Sequence, residues 1–141
     1  MWDKTAKAAG ALIGAAAGLL GEWNVMLTVL AWMMLIDYVT GLICAWRGRS
    51  PKTDGGGVSS KAGFDGLARK GLMLLIVLTA TLLDRAIGSD GSVFQTAAAG
   101  YYIANEGVSI LENSALMGVP YPKAILSALE QLKGEDGDKD G

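Results

Sequence analysis

The sequence has no histidine, one cysteine and three prolines, and charged residues make up only 18% of its 141 positions. Without histidine, the commonest metal ligand and the usual neutral-pH proton carrier are missing. The single Cys44 excludes an internal disulfide, and on an apolar helix it reads as a small hydrophobe. A formal net charge of −2 leaves no basic footprint for nucleic acid. No nucleophile–base arrangement or metal-ligand cluster is present, and the glycine triplet Gly55 to Gly57 lacks the lysine-threonine ending of a phosphate loop. The chain is therefore expected to be no enzyme and to carry no cofactor.

What is abundant is apolar sequence: 51% of residues are hydrophobic and the mean hydropathy is +0.35. A soluble domain of this length is rarely so apolar. The expected fold class is all-α, an integral membrane bundle of three or four transmembrane helices with a short C-terminal surface helix. One membrane-embedded domain over residues 1–133 is expected, followed by a disordered acidic tail, 134–141.

The first helix is expected over residues 5–20. Lys4 and Lys7 precede an Ala/Gly-rich run, which matches the template of a secretory signal with small residues at Ala15 to Ala17. The same run places Gly10, Gly14 and Gly18 on one helix face, a small-residue pattern that lets membrane helices approach closely. Whether this helix spans the bilayer or lies in its interface stays open.

The second helix, 23–46, is an apolar run bracketed by Trp23 and Trp46, whose separation of about 35 Å fits two interfacial belts. Asp37 interrupts it about 13 Å from the Trp46 end. An acid at that depth marks a functional site or an interhelical clamp, with Asn105 or Ser109 as partners. No basic residue is expected deep enough to pair with it.

Residues 47–70 read as a polar loop in which Arg47, Arg49, Lys52, Lys61, Arg69 and Lys70 outnumber Asp54 and Asp65. Their excess sets topology by placing the loop in the cytoplasm, against anionic headgroups. A helix start near Ser59 or Ser60 is signalled by the capping preference of serine. A third membrane helix is expected over 67–87, followed by a turn in which Ser92 caps the next element.

That element, 93–117, carries both periodicity and membrane-like length. At about 100° per residue, Gln95, Tyr102, Asn105, Glu106, Ser109, Glu112 and Asn113 fall within an arc of roughly 120°. This stripe reads either as the lining of a water-filled space or as a polar seam buried between helices. Pro120 and Pro122 then stop the helix, and 122–133 reads as a surface helix resting on the membrane or on the basic loop.

Three separated stretches together resemble the toxin-secretion/phage-lysis holin family of small bacterial membrane proteins. They are Asp37-Tyr38-Val39-Thr40-Gly41; Ser59-Ser60-Lys61-Ala62-Gly63 leading to Gly66 and Arg69-Lys70; and Tyr102-Ile103-Ala104-Asn105-Glu106, continued by Ser109-Ile110-Leu111-Glu112-Asn113, Gly118-Val119-Pro120 and Pro122. The segment Pro51 to Val58 departs from the family pattern by lengthening the loop. The resemblance implies a multi-pass protein of the bacterial cytoplasmic membrane, with loop 47–70 and C-terminus cytoplasmic. It further implies a homo-oligomer whose lesion lets an endolysin or a large toxin pass without stably binding it.

The residues themselves leave a second class open. Asp37 and Glu106 could form the proton- or cation-binding pair of a small ion channel or transporter. A membrane scaffold without a pore is a third reading.

Overall fold

The computed structural model describes residues 2–20, 23–89 and 91–134, and the acidic stretch 135–141 lies outside the described residues. Among the described residues the fold is entirely helical: α1 (Trp2–Leu20), α2 (Val25–Trp46), α3 (Ser60–Ala86), α4 (Val93–Leu116) and α5 (Lys123–Leu132).

Local chemistry sets the boundaries. Asn24 starts α2, its side-chain oxygen accepting from the Leu27 amide at 3.0 Å. Ser59 starts α3 by accepting from the Ala62 amide. That cap places the helix start at Ser60 rather than near residue 67, so Lys61, Arg69 and Lys70 lie on a helix and the loop shortens to 47–59. Ser92 makes no side-chain cap. The carboxylate of Asp84, reaching across from α3, accepts from the Phe94 and Gln95 amides at 2.9 Å each and takes the role expected of Ser92. At the other end of α4, Gly118 adopts a left-handed conformation (φ +77°), and Pro120 prevents continuation.

Cross-helix bonds fix the directions. Asn24 of the α2 entry meets Gln95 at the start of α4, and Asp37 meets Asn113 further along, so α2 and α4 run parallel. On α3 the order is reversed, with Asp84 beside Gln95 and Lys70 beside Glu106. The most extensive interface joins α2 to α4. α3 covers α4 and barely touches α2, α1 lies beside α3, and α5 folds back along α4.

Inside this unit Leu27, Leu30, Met34, Val77, Ala99 and Ile103 form one apolar cluster. Ala104, Leu111 and Leu129 form a second, which seats α5 on α4. Of the apolar residues of the expected surface helix 122–133, Leu129 packs on α4, its methyls against Gly107, while Ile125 and Leu132 stay exposed.

Most apolar side chains point outward. Val29, Trp32, Leu35, Ile36 and Val39 on α2, and Leu72, Leu75, Ile76 and Leu83 on α3, are exposed. Among the described residues two helices, α2 and α3, are long and apolar enough to cross a membrane, fewer than the three or four expected. α4 falls short because its polar positions dilute its hydropathy, and α1 because alanine and glycine are weakly apolar.

Candidate functional site

The inward positions of the three central helices follow one rhythm. On α3 the inner face reads Lys70, Met73, Val77, Thr81 and Asp84. On α2 it reads Leu27, Leu30, Met34, Asp37 and Cys44, and on α4 Gln95, Ala99, Ile103, Glu106 and Asn113. Steps of three, four and seven keep each set on one stripe. Each stripe is apolar in its middle and polar toward one or both ends, so the bundle stacks two polar junctions around an apolar core.

The first junction joins the α2 entry, the α3 exit and the α4 entry. Gln95 is its centre: its amide oxygen accepts from Asn24 at 2.9 Å and its amide nitrogen donates to Thr81 Oγ1 at 2.8 Å. Asp84 completes it by capping α4.

The second junction is ionic. Lys70 Nζ lies 2.7 Å from Asp37 Oδ2 and 2.6 Å from Glu106 Oε2, which links α2, α3 and α4 through one ammonium. The side chains are 14%, 7% and 3% exposed, respectively. Ion pairs this sheltered gain strong charge-assisted hydrogen bonds while losing hydration, so geometry and the remaining partners decide their worth. Those partners are present. Asn113 Nδ2 donates to Thr40 Oγ1 at 2.9 Å and, more weakly, to Asp37 Oδ1 at 3.3 Å, whereas Asn105 and Ser109, the partners expected for Asp37, line the neighbouring cleft. Among the described residues no buried side-chain polar atom lacks a partner.

The expectation that no basic residue reaches Asp37 is therefore corrected. Lys70 was read as the last residue of a loop because an apolar run follows it, but the helix had already begun at Ser59 and had made about three turns by that point. The signal that could have found it is the inner α3 stripe, in which Lys70 and Asp84 terminate one apolar face. Asn24, Thr81 and Asp84, inside the helices expected at 23–46 and 67–87, were missed because their partners lie on other helices.

The ionic junction forms the floor of a cleft of about 340 Å³ between α2, α3, α4 and the 50–53 loop. Tyr38, Lys52, Arg69, Asn105, Ser109 and Glu112 line its walls and mouth. Gly41 on α2 and Gly63 and Gly66 on α3 also line it, and the Tyr38 side chain of α2 fits over Gly63 and Gly66.

The stripe foreseen on α4 divides. Gln95, Glu106 and Asn113 are buried, Tyr102 and Ser109 are half-buried, and Asn105 and Glu112 are exposed at the cleft. Of the basic set, Lys70 enters the ion cluster and Arg49 donates to the Leu116 carbonyl at the α4 exit. Lys52 and Arg69 face the cleft, while Arg47 and Lys61 are exposed elsewhere. Gly10, Gly14 and Gly18 are not brought to the site: they stand on the exposed α1, with open space where a β-carbon would project. No group of three or more acids, histidines and cysteines among the described residues is arranged to hold a metal.

Residues 14–134 match the bacteriophage holin family. A probable holin of Bacillus phage phi105 is 34% identical over 105 residues, covering 74% of this chain and 72% of its own length. An uncharacterised 14.9 kDa Clostridium perfringens protein is 37% identical over 82% of each chain. A Halalkalibacterium halodurans protein is 35% identical over 91% of this chain and 93% of its own. No solved structure matches significantly. An all-helical chain with apolar outward faces, matched over this much of its length, belongs to the bacteriophage holin family.

Proposed function

We propose that this protein is a holin of the bacterial cytoplasmic membrane: it oligomerises and, at a set time, opens a lesion through which an endolysin or a large toxin leaves the cytoplasm. The observation that carries the reading is the Asp37–Lys70–Glu106 cluster, a set of charges sealed among helices whose outward faces are apolar. Such a protomer can accumulate harmlessly in lipid with its water-seeking groups stored inside. On α3, Lys70 and Asp84 stand about 21 Å apart along the helix, and the apolar core lies between them, so one protomer offers no continuous polar path. A lesion then requires many copies, rearranged so that α4 turns Glu106, Asn105, Glu112 and Asn113 toward water. One small bundle cannot enclose a protein-sized channel, so a large ring or raft is needed.

In this arrangement α2, α3 and α4 span the membrane, with α1 either a fourth span or an interfacial helix. The basic loop and the chain leaving α4 at Gly118 face the cytoplasm. Displaced carboxylates couple to the membrane potential at about 2.3 kcal/mol per charge per 100 mV, which gives a basis for a sharp trigger.

The position of Asp37 and Glu106 on the floor of an open cleft favours a second reading, a small cation channel or coupled transporter. Inducible expression in bacteria, with and without an endolysin, separates the two. A holin releases a cytoplasmic reporter protein and licenses endolysin-dependent lysis, whereas leakage confined to ions and small solutes would leave only the second reading.

A further inference from the structure

The ion cluster absorbs Lys70, Asp37 and Glu106, but not the other charges around the cleft. Arg69 lies next to Lys70 in the helix, and Lys70 bonds Asp37, which lies about 13 Å inside the Trp46 end of α2. Among the described residues, the Arg69 guanidinium has no ion pair or hydrogen bond, and neither has the side chain of Lys52 or Glu112. All three line the same cleft. An arginine at membrane depth is tolerated when it reaches a phosphate or draws headgroups and water inward. No carboxylate among the described residues lies within ion-pair distance of Arg69, and an abundant anion in a membrane is a lipid phosphate.

Charge selects among lipids. The six charged residues lining the cleft, Asp37, Glu106, Glu112, Lys52, Arg69 and Lys70, sum to zero. Separate unpaired cations and an unpaired acid suit a zwitterion better than a simple anion. A volume of about 340 Å³ is at the small end of ligand-binding sites. The cleft lies between α2 and α3, which barely touch, and the Tyr38 ring packed against Gly63 and Gly66 flanks it.

We infer that this cleft binds the phosphoethanolamine headgroup of a membrane lipid, with its phosphate held by Arg69 and Lys52 and its ammonium by Glu112. The inference needs α2 and α3 to cross the membrane, but it does not need the protein to make holes. Bound lipid would bridge α3, α4 and the 50–53 loop, thereby stabilising the closed bundle in proportion to that lipid's abundance.

The test uses the full chain purified in detergent, with retention of added phosphatidylethanolamine, phosphatidylglycerol and phosphatidylcholine measured by native mass spectrometry. Phosphatidylethanolamine should be retained over the other two. Arg69→Gln should weaken its retention about tenfold, as expected for loss of a charge-assisted hydrogen bond, and Arg69→Lys should restore part of it. Glu112→Gln should abolish the preference over phosphatidylglycerol while phosphate-dependent binding persists. Circular dichroism of each variant confirms that the helices are retained. Equal retention of the three lipids, or retention unchanged in Arg69→Gln, would overturn the proposal. So would competition by soluble O-phosphoethanolamine as strong as that of the lipid, which would place the ligand in solution. Lipid preference in a protein that never lyses cells would leave this site standing and remove the holin reading instead.

Discussion

Lys70 Nζ and Glu106 Oε2 stand 2.6 Å apart across the α3–α4 interface, and the same ammonium reaches Asp37 on α2 at 2.7 Å. Because α2 and α3 otherwise barely touch, this one cation ties both parallel helices to the antiparallel one in that half of the bundle. Two carboxylates sharing one ammonium also make the junction sensitive to any change that removes a charge.

Lys70→Met should therefore be the most damaging single change in the cluster. It leaves two carboxylates facing each other in a sheltered site, and breaking a buried pair from one side typically costs about 3–5 kcal/mol. The thermal midpoint in detergent should fall sharply. The triple variant Lys70→Met, Asp37→Asn, Glu106→Gln, which removes all three charges, should regain most of the loss. An unchanged midpoint in the single variant would mean that the cluster contributes nothing to the closed bundle.

Glu106→Leu tests function rather than stability. Lys70 keeps Asp37 as a partner, so the charges balance and the helices still fit a bilayer, but the lesion loses a hydrated side chain at the middle of α4. Lysis should be delayed or abolished while the amount of membrane-inserted protein stays the same, followed by culture density and membrane fractionation. Lysis on the parental schedule rules out a lining role for Glu106.

How much of this was legible in the sequence depends on the range of the interaction. α2 was readable from its two tryptophans and apolar run, and α4 from its polar periodicity, because both signals are local. Ser59 also marked a helix start. The Ser92 cap failed because the competing acceptor, Asp84, comes from another helix and offers two carboxylate oxygens to two amides. Lys70 failed for a related reason: hydropathy treats a lysine at the edge of an apolar run as a boundary, whereas the ammonium follows the inner stripe to carboxylates 33 and 36 residues away in sequence. The polar stripe on α4 could be located from sequence, but its division between buried seam and open cleft depends on where α3 lies.

Asp84→Ala should loosen the entry to α4. The substitution removes the acceptor of the Phe94 and Gln95 amides, and loss of an N-terminal cap costs about 0.5–2 kcal/mol. Hydrogen exchange should accelerate at these two amides while those near Gly107 keep their protection. Uniform acceleration along α4 would instead indicate global unfolding, and no change would show that Ser92 or solvent substitutes for the cap.

The seat of α5 can be probed at Gly107. A β-carbon built there falls 2.6 and 2.8 Å from the two Leu129 methyls and 2.9 Å from the Met33 methyl. These are the ends of flexible side chains, so Gly107→Ala should be accommodated by small shifts, partly offset by a helix-propensity gain of about 1 kcal/mol. Gly107→Leu has no such room and should push α5 off α4, exposing Leu129, whose burial is worth about 1.5–3 kcal/mol. A Leu126→Cys reporter, at a half-buried α5 position packed against the same cluster, in a Cys44→Ser background measures this while leaving Leu129 in place. Maleimide labelling should be slow with glycine or alanine at 107 and about tenfold or more faster with leucine. Equal labelling in all three would show that α5 is not held against α4 at this position.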